Sequence, residues 1–188
     1  RAWKDVKGGT LEENAYTFTL TDEEGNTYTA KNDGEGVIVF EDLTYDETDI
    51  GKTYTYTFWV GEQKPVFERK YVTVLEEMPD LEAMRRAAGI LTGEHDFKAF
   101  CGNSKYKKST VRTVDKIEIV RKKDKLYLNF HGTGFLMNMV RIMTGTLLQC
   151  GFHKMSEEDV KNALEKKDRQ LAGPVAPARG LCLIRVDY

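Results

Sequence analysis

The sequence predicts an α+β domain, an antiparallel sheet backed by helices, preceded by a small all-β, sandwich-like segment. Two patterns support this prediction. Up to about residue 60, short runs alternate apolar residues with threonine between Gly- and Asp-rich turns, as strands do. Farther along, strand patterns alternate with helix-period patterns. We place the boundary between residues 51 and 52, giving a β-rich segment (1–51) and a mixed domain (52–188).

Charge separates the same two segments. Residues 1–50 carry four Lys or Arg and thirteen Asp or Glu, whereas the other 138 residues carry twenty-four and seventeen. The formal net charge of −2 therefore combines an acidic segment with a basic one. The 188 residues, 40% of them hydrophobic, suffice for one ordinary domain or two small ones.

The acidic segment contains several strand patterns. Residues 16–20 alternate aromatic or aliphatic side chains with threonine, and the turn 22–26 leads into residues 27–30, which predicts a hairpin. A second Gly-rich turn, 32–36, precedes a strand at 37–40. Residues 53–58 alternate again and predict another strand.

The mixed domain begins with a predicted helix at 81–91, with Asp80 as its N-cap and Gly93 past its end. Strands at 113–120 and 125–130 flank a charged turn and predict a hairpin. Ser156 and Asp159, three residues apart, resemble a capping box at the start of a further helix. The loop 172–180 then leads to a terminal strand at 181–188.

One arginine lies inside an apolar run. Residues 134–148 are long enough for about four helical turns. On a helix, one polar stripe would contain Gly134, Asn138, Arg141, Gly145 and Gln149. Because a guanidinium does not lose its proton, a partly buried Arg141 needs a carboxylate, a phosphate or a carbonyl cluster. Arg141 is therefore the best candidate site residue, and a structural ion pair is the alternative.

Other chemistry-bearing residues give weaker signals. The three cysteines have no metal-ligand spacing and cannot all pair, which favours reduced thiols and a cytoplasmic protein. No stretch has the length and apolarity of a membrane span. His95 and Asp96 are adjacent at an expected helix end, where they are more often a cap and a packing contact. His131 and His153 have no metal-ligand neighbours, so we expect no metal site.

A basic section with interleaved tyrosines suits contacts with nucleic-acid phosphates. Its candidate binding residues are Lys107, Lys108, Arg112, Lys122 and Lys123. A solvated charged face is the alternative, because most charge runs are only that.

Four motifs resemble the bacterial tRNA pseudouridine synthase A family. They are "KTYTYTFW" at 52–59, "GEHDFKAF" at 93–100, "GFLMNMVRIMTGTLLQCG" at 134–151 and "AGPVAPARGLCLIRVDY" at 172–188. The resemblance runs in order from about residue 52 to the end and covers that family's C-terminal half. It implies a cytoplasmic isomerase that converts uridine to pseudouridine in the anticodon arm of tRNA. It also implies no metal or organic cofactor and a homodimer.

The resemblance assigns roles to particular residues. Arg141 matches the arginine that pairs with a catalytic aspartate, and Tyr54 matches the tyrosine that contacts the target base. Tyr56, Leu181 and Leu183 match residues around that base. Alternatives stay open, because both tyrosines also fit ordinary sheet positions and leucines in a last strand are usually core residues.

The family's catalytic aspartate has no counterpart here. It lies in an Arg-Thr-Asp-x-Gly-Val-His motif, which is absent from this sequence. The segment most similar to it is "KNDGEGV", in which Asp33 matches the pattern of a turn residue better than that of a catalytic nucleophile. Whether the chain is itself an enzyme therefore stays open, and we expect it to be inactive alone.

The first sixty residues resemble a streptococcal-type pilin isopeptide domain, through "LEENAYTFTL", "NDGEGVIVFEDLTY" and "GKTYTYT". That family forms an amide between a lysine of its first strand, matched by Lys4, and an asparagine of its last strand. Val60 replaces the acid that promotes this bond, and the last strand has no counterpart, so we expect no cross-link. The alternative function is a cell-surface adhesin module, and a natural fusion, a fragment and an assembly error all stay open.

Overall fold

The computed structural model describes residues 2–3, 12–21, 27–35, 37–38, 51–61, 65 and 68–187. The chain divides into two compact units, Arg1–Asp46 and Glu47–Tyr188. The boundary expected after residue 51 falls inside the larger unit, because the strand that starts at Gly51 belongs to its sheet.

The described residues of the smaller unit form two antiparallel strand pairs. Strand β1 (Ala2–Trp3) pairs with β4 (Val37–Ile38), and β2 (Thr17–Thr21) pairs with β3 (Thr27–Lys31). The second pair confirms the predicted hairpin. Its turn 22–26, the residues Val39 and Phe40, and Lys4 lie outside the described residues, so the absence of a Lys4 cross-link stays a prediction.

Asn32 and Asp33 organise the turn before β4. The Asn32 side chain is 1% exposed, accepts from Tyr16 N at 2.8 Å and donates to the carbonyls of Glu12 and Asp33. Asp33 Oδ1 accepts from the amides of Glu35 at 2.9 Å and Val37 at 2.8 Å. The Asp33 carboxylate therefore has the contacts of a turn residue, as expected from its pattern.

The larger unit is built on a six-stranded sheet. Its strands are β5 (Gly51–Val60), β6 (Thr73–Leu75), β7 (Gly93–Asp96), β8 (Val111–Lys122), β9 (Lys125–Gly132) and β10 (Leu181–Asp187). Five of them follow the order β10-β5-β9-β8-β7 and are antiparallel, and β6 pairs parallel with the end of β5. The predicted strands at 53–58, 113–120, 125–130 and 181–188 are confirmed, except that Tyr188 lies outside the described residues.

In the described part of the chain, three α-helices accompany this sheet, which confirms the predicted α+β class. They are α1 (Leu81–Leu91), α2 (Met139–Gly151) and α3 (Glu157–Lys166). Asp80 caps α1 by accepting from the amides of Glu82 and Ala83. Ser156 and Asp159 form the predicted capping box, with a bond in each direction.

Helix α2 corrects the predicted helix in the apolar run. It begins at Met139, and residues 134–138 approach it in a non-helical conformation. Asn138 is left-handed, with φ 59°, and the Met137 carbonyl accepts from Gly102 N at 2.7 Å. These contacts hold the preceding segment away from the helix axis. Gly134 and Asn138 therefore do not belong to a helical stripe, although Arg141, Gly145 and Gln149 do.

A second correction concerns His95, which lies in strand β7 and not at a helix end. Its ring packs edge-on against Phe97, with centroids 5.6 Å apart. Its neighbour Asp96 does cap a short 3-10 turn, Phe97–Phe100, by accepting from Lys98 N.

The core lies on one face of the larger sheet. Every second residue of β9 is buried, which is the period of a strand with one covered face. Leu126, Leu128 and Phe130 face Phe58, Tyr56 and Tyr54 across the β5–β9 ladder. Apolar residues of α1 and α2 belong to the same buried cluster. Among the described residues, no helix has the length and apolarity to cross a membrane.

Candidate functional site

Arg141 lies in the first turn of α2, half-buried, and neutral oxygen atoms satisfy part of its guanidinium. Its Nε donates to the carbonyl oxygen of Ala176 at 2.7 Å, and its Nη1 donates to Asn138 Oδ1 at 2.9 Å. The Ala176 amide donates in return to the Arg141 carbonyl at 3.1 Å. Among the residues that the structure describes, no carboxylate forms an ion pair with Arg141. The alternative role of Arg141, a structural ion pair, therefore has no acidic partner among the described residues.

The loop 172–180 reaches Arg141 because glycines let two backbones touch. A Cβ on Gly145 of α2 would lie 1.8 Å from the Pro174 carbonyl oxygen, and one on Gly173 would lie 2.6 Å from the Thr146 backbone. The Gly173 amide donates to Thr146 Oγ1 at 2.9 Å. This close packing fixes the loop on the helix and thereby places the Ala176 carbonyl on the guanidinium.

Tyr56 is fully buried beside the same loop. Its hydroxyl donates to the Pro177 carbonyl at 2.6 Å and lies 2.8 Å from Thr73 Oγ1. Burial raises the pKa of Tyr56, and the Thr73 hydrogen bond and the charges of Arg141 and Arg179 only partly oppose this. Tyr56 therefore remains protonated, and its present contacts are those of a residue that holds the loop.

Tyr54 has a different environment, two residues away on the same face of β5. Its ring is half-buried and meets Phe135 edge-on, with centroids 5.4 Å apart and planes at 88°. Leu183 pairs with Tyr54 across the β10–β5 ladder and is 47% exposed, so it is not a core residue. Leu181 pairs with Tyr56 and packs against the core.

The structure therefore brings part of the predicted site together. Arg141 reaches Tyr56 through the adjacent carbonyls of Ala176 and Pro177, and Leu181 pairs with Tyr56. Tyr54 and Leu183 follow at the next repeat of the same two strands, about 7 Å along. Tyr54 is partly exposed and Leu183 is exposed, so both can contact a substrate, whereas Tyr56 has no exposed surface.

The predicted phosphate-binding residues fall into two clusters instead of one. Lys107 and Lys108 are exposed in the loop before β8, and Arg112, near the start of β8, donates to Tyr106 Oη at 3.4 Å. Lys122 is the last residue of this twelve-residue strand and Lys123 follows it, so the two clusters are separated by about 35 Å. An extended polyanion such as RNA could contact both clusters.

The second cluster includes aromatic side chains. Lys122 and Lys123 line a shallow cavity of about 300 Å³ together with Trp59 and Tyr127. Lys125 lies over the Trp59 ring, 5.9 Å from its centroid, and forms an ion pair with Glu68. Its ammonium is thus already engaged, and Lys122 and Lys123 are the cations that remain for a ligand.

The histidines take part in pairs with single acids. His131 Nδ1 lies 2.9 Å from Asp115 Oδ2, and His153 Nε2 lies 3.4 Å from Asp80 Oδ2. Within the described part of the chain, no group of three or more His, Cys, Asp or Glu side chains could hold a metal ion.

Sequence reasoning missed the groups that hold Arg141 and Tyr56. The acceptors at Ala176 and Pro177 are backbone carbonyls, which carry no side-chain signal. The small residues and prolines of "AGPVAPARG" indicated a loop but not its contact with α2. Asn138 was expected on the helix with Arg141, whereas it bonds Arg141 from just before the helix.

Comparison with known proteins identifies the family. A family model described as tRNA pseudouridine synthase matches residues 87–188. A tRNA pseudouridine synthase A from Clostridium kluyveri is 41% identical over 138 residues, covering 73% of this chain and 57% of the relative. One from Shouchella clausii is 42% identical over 137 residues, covering 73% and 52%. A tRNA pseudouridine synthase A 2 from Clostridium perfringens is 39% identical over 150 residues, covering 80% and 62%.

The chain thus spans between one half and two thirds of the length of these three relatives. The family model matches more than half of the chain, and the matched part contains Arg141, α2 and the loop packed on it. The chain therefore belongs to the tRNA pseudouridine synthase family.

Proposed function

We propose that this chain binds tRNA and supplies the arginine-bearing half of a site that isomerises uridine to pseudouridine. The observation that supports this proposal is the set of hydrogen bonds that the Arg141 guanidinium makes. Two neutral oxygens hold its guanidinium, and no described acid neutralises it. Of its five N–H groups, three remain for an incoming carboxylate or phosphate. A fixed, half-buried positive charge with spare donors suits a catalytic carboxylate.

In this proposal, Arg141 orients the catalytic aspartate and keeps it ionised, because a guanidinium next to a carboxylate lowers the pKa of that carboxylate. The Tyr54 ring and the exposed Leu183 side chain lie against the uracil. Tyr56 is a positioning residue that holds the Pro177 carbonyl, and through the loop the Ala176 carbonyl, against Arg141. Leu181, two residues before Leu183 on the same strand, packs against the core beside Tyr56.

The chain contains no Arg-Thr-Asp motif, so we propose that it does not catalyse the reaction alone. Purified chain and an in vitro transcribed tRNA should give no pseudouridine when the RNA is digested and its nucleosides are quantified. Robust product from this chain, lost in Asp33→Ala, would show instead that Asp33 is the nucleophile.

Binding should depend on the two basic clusters. We expect weak affinity that falls steeply with salt, since each lysine–phosphate contact contributes roughly 0.7 to 0.9 to the slope of log K against log salt. Replacing Lys107, Lys108, Lys122 and Lys123 with alanine should flatten this slope by about three units. The matched control replaces four other exposed lysines, namely Lys70, Lys154, Lys161 and Lys166.

Fluorescence anisotropy with labelled tRNA at several salt concentrations measures both variants. The control should behave almost as the unmodified chain does, and Arg141→Ala should leave the slope nearly unchanged because its role is in the site. Equal slopes for the two quadruple variants would contradict the assignment of the basic clusters. The homodimer implied by the resemblance stays a prediction, which light scattering of the purified chain would test.

A further inference from the structure

A cavity of about 470 Å³ lies in the larger unit between the Phe97–Phe100 turn, the loop 101–110, the start of α2 and residues 167–169. Its volume is within the range of small-molecule sites. The polar residues used below are Lys98, Ser104, Tyr106, Thr110, Asn138 and Arg169. None of the functional assignments above explains this cavity.

Most charged groups around the cavity already have partners. Lys167 forms an ion pair with Asp96 at 2.8 Å, and Asp168 Oδ1 accepts from Gln170 N at 2.9 Å. Arg169 Nη1 donates to the carbonyls of Ala172 and Gly173. The Thr110 hydroxyl donates to Asp96. These groups form fixed walls.

Two lining groups have no such partners. The Lys98 ammonium and the Ser104 hydroxyl make no hydrogen bond or ion pair with any described residue, and both residues are exposed. With Lys98, Lys167 and Arg169 against Asp168, the lining carries more positive than negative charge. The free donors and the charge favour an anionic ligand.

The cavity also adjoins the Arg141 site. Asn138, which lines it, accepts from Arg141, and Tyr106, which also lines it, accepts from Arg112. Val175, the residue before the Ala176 carbonyl, forms another wall and is 39% exposed. The half-buried Tyr106 ring and Val175 therefore give the cavity an apolar surface beside its cations.

We propose that this cavity binds one nucleotide of the RNA strand next to the target uridine. Lys98 and Ser104 contact its phosphate, and Tyr106 and Val175 pack against its base. This inference rests on the proposed function, because it places a neighbouring nucleotide beside the Arg141 site. It also explains why an anion-binding cavity shares Asn138 with that site.

Filling the cavity tests the proposal in the full chain. Ser104→Trp places a large side chain in the cavity without removing a charge, and should weaken tRNA binding at least about tenfold. Gly89→Trp is the control, since Gly89 is an exposed residue of α1 that does not line the cavity, and a Cβ there would meet no atom within 4 Å. It should bind within about twofold of the unmodified chain. Circular dichroism and urea unfolding check that both variants fold.

A second variant keeps the test decisive if Ser104→Trp does not fold. Lys98→Ala should lower affinity about threefold at low salt and reduce the salt slope by nearly one unit, as loss of one phosphate contact does. Lys70→Ala, on an exposed turn, should do neither. The cavity proposal is wrong if Lys98→Ala, and Ser104→Trp if it folds, bind tRNA as the unmodified chain does. If the quadruple lysine variant is nevertheless weakened, the proposed function stands. If the unmodified chain binds no tRNA, both fail.

Nuclear magnetic resonance separates a nucleotide site from a simple anion site. Uridine 5′-monophosphate should shift the amide signals of Ser104, Lys105 and Tyr106 at lower concentration than inorganic phosphate or uridine does. Equal shifts with inorganic phosphate alone would leave only an anion site and overturn the nucleotide assignment.

Discussion

The two units of the chain differ in what holds their strands together. In the smaller unit the described strands are two to five residues long, and its buried apolar residues among those described are Ala30 and Ile38. In the larger unit, strands of ten and twelve residues cover a core with fully buried aromatic rings such as Phe58, Phe97 and Phe130. Burying each such ring contributes about 1.5 to 3 kcal/mol.

The candidate site lies in the unit that has the larger apolar core. The site around Arg141 is built from segments far apart in sequence, which a large core holds in register. The residues matched by the family model, 87–188, lie entirely in the larger unit. In the smaller unit, the buried Asn32 side chain bonds Tyr16 and Glu12, which lie 16 and 20 residues away in sequence, as well as its neighbour Asp33.

The largest expected effect comes from the contact between α2 and its loop. Gly145→Ala would place a methyl group 1.8 Å from the Pro174 carbonyl oxygen, and neither the helix nor the loop backbone moves easily. We expect the larger unit to lose about 3 kcal/mol of unfolding free energy, measured by urea denaturation.

Gly89→Ala is the matched control for that substitution. Gly89 is an exposed residue of α1, and a methyl group there would meet no atom within 4 Å. Alanine should stabilise the larger unit by about 0.5 to 1 kcal/mol, because it favours the helix. Equal effects of the two substitutions would mean that the loop does not pack on α2 as described.

The next effect concerns the smaller unit. Asn32→Ala removes the partners of the Tyr16 amide and of the Glu12 and Asp33 carbonyls at a site that is 1% exposed. We expect a loss of about 2 kcal/mol from the smaller unit, because removing one side of a buried hydrogen bond leaves the other side poorly satisfied. Glu35→Ala, in the same exposed turn, should change stability by less than about 0.5 kcal/mol. A similar small effect of Asn32→Ala would contradict its central role.

Alkaline pH should weaken the larger unit. Burial raises the pKa of Cys150 to about 11, and the nearby charges of Asp159 and Glu157 act in the same direction. Since the unfolded thiol ionises near its ordinary pKa of about 9, the protonated thiol stabilises the fold fully below pH 9. That contribution is lost as pH rises from about 9 to 11, by at most about 1.4 kcal/mol per pH unit.

Denaturation of Cys150→Ala between pH 8 and 11, under reducing conditions, checks this loss. The variant should show a shallower decline than the unmodified chain, although some decline should remain because burial also raises the pKa of Tyr56. Cys182→Ala removes an exposed thiol and serves as the control. Parallel curves for the Cys150 variant and the unmodified chain would show that this thiol does not couple to folding.

Local spacing was enough to predict the elements but not the site geometry. The capping box of Ser156 and Asp159 and the alternation in 16–20 and 53–58 depend on neighbours a few residues apart, so the sequence shows them directly. The start of α2 depends instead on Gly102, which binds the Met137 carbonyl from 35 residues away. No pattern within the apolar run contains that information.

The two tyrosines of β5 make the same point about the candidate site. Tyr54 and Tyr56 are equivalent in the Tyr-x-Tyr pattern, yet Thr73 and Pro177 bury the hydroxyl of Tyr56, while Tyr54 meets Phe135. Likewise, the sequence predicted that Arg141 needs an oxygen-bearing partner, and the structure supplies the Ala176 carbonyl and Asn138. That the Ala176 carbonyl is one of these partners depends on how residues 172–180 fold.

The smallest expected effect is the influence of each unit on the stability of the other. The chain has two tryptophans, Trp3 in β1 and Trp59 in β5, so one lies in each unit. Trp59→Phe leaves Trp3 to report the smaller unit, and Trp3→Phe leaves Trp59 to report the larger one. In these backgrounds, Gly145→Ala should shift the urea transition seen by Trp59 and move that seen by Trp3 by less than about 0.5 kcal/mol, as expected for independent sites. Asn32→Ala should do the reverse, and the Trp3 transition should come at lower urea because the smaller unit has fewer buried apolar residues among those described. A single transition that both tryptophans report, shifted equally by either substitution, would show that the two units fold as one cooperative body and would remove the contrast between them.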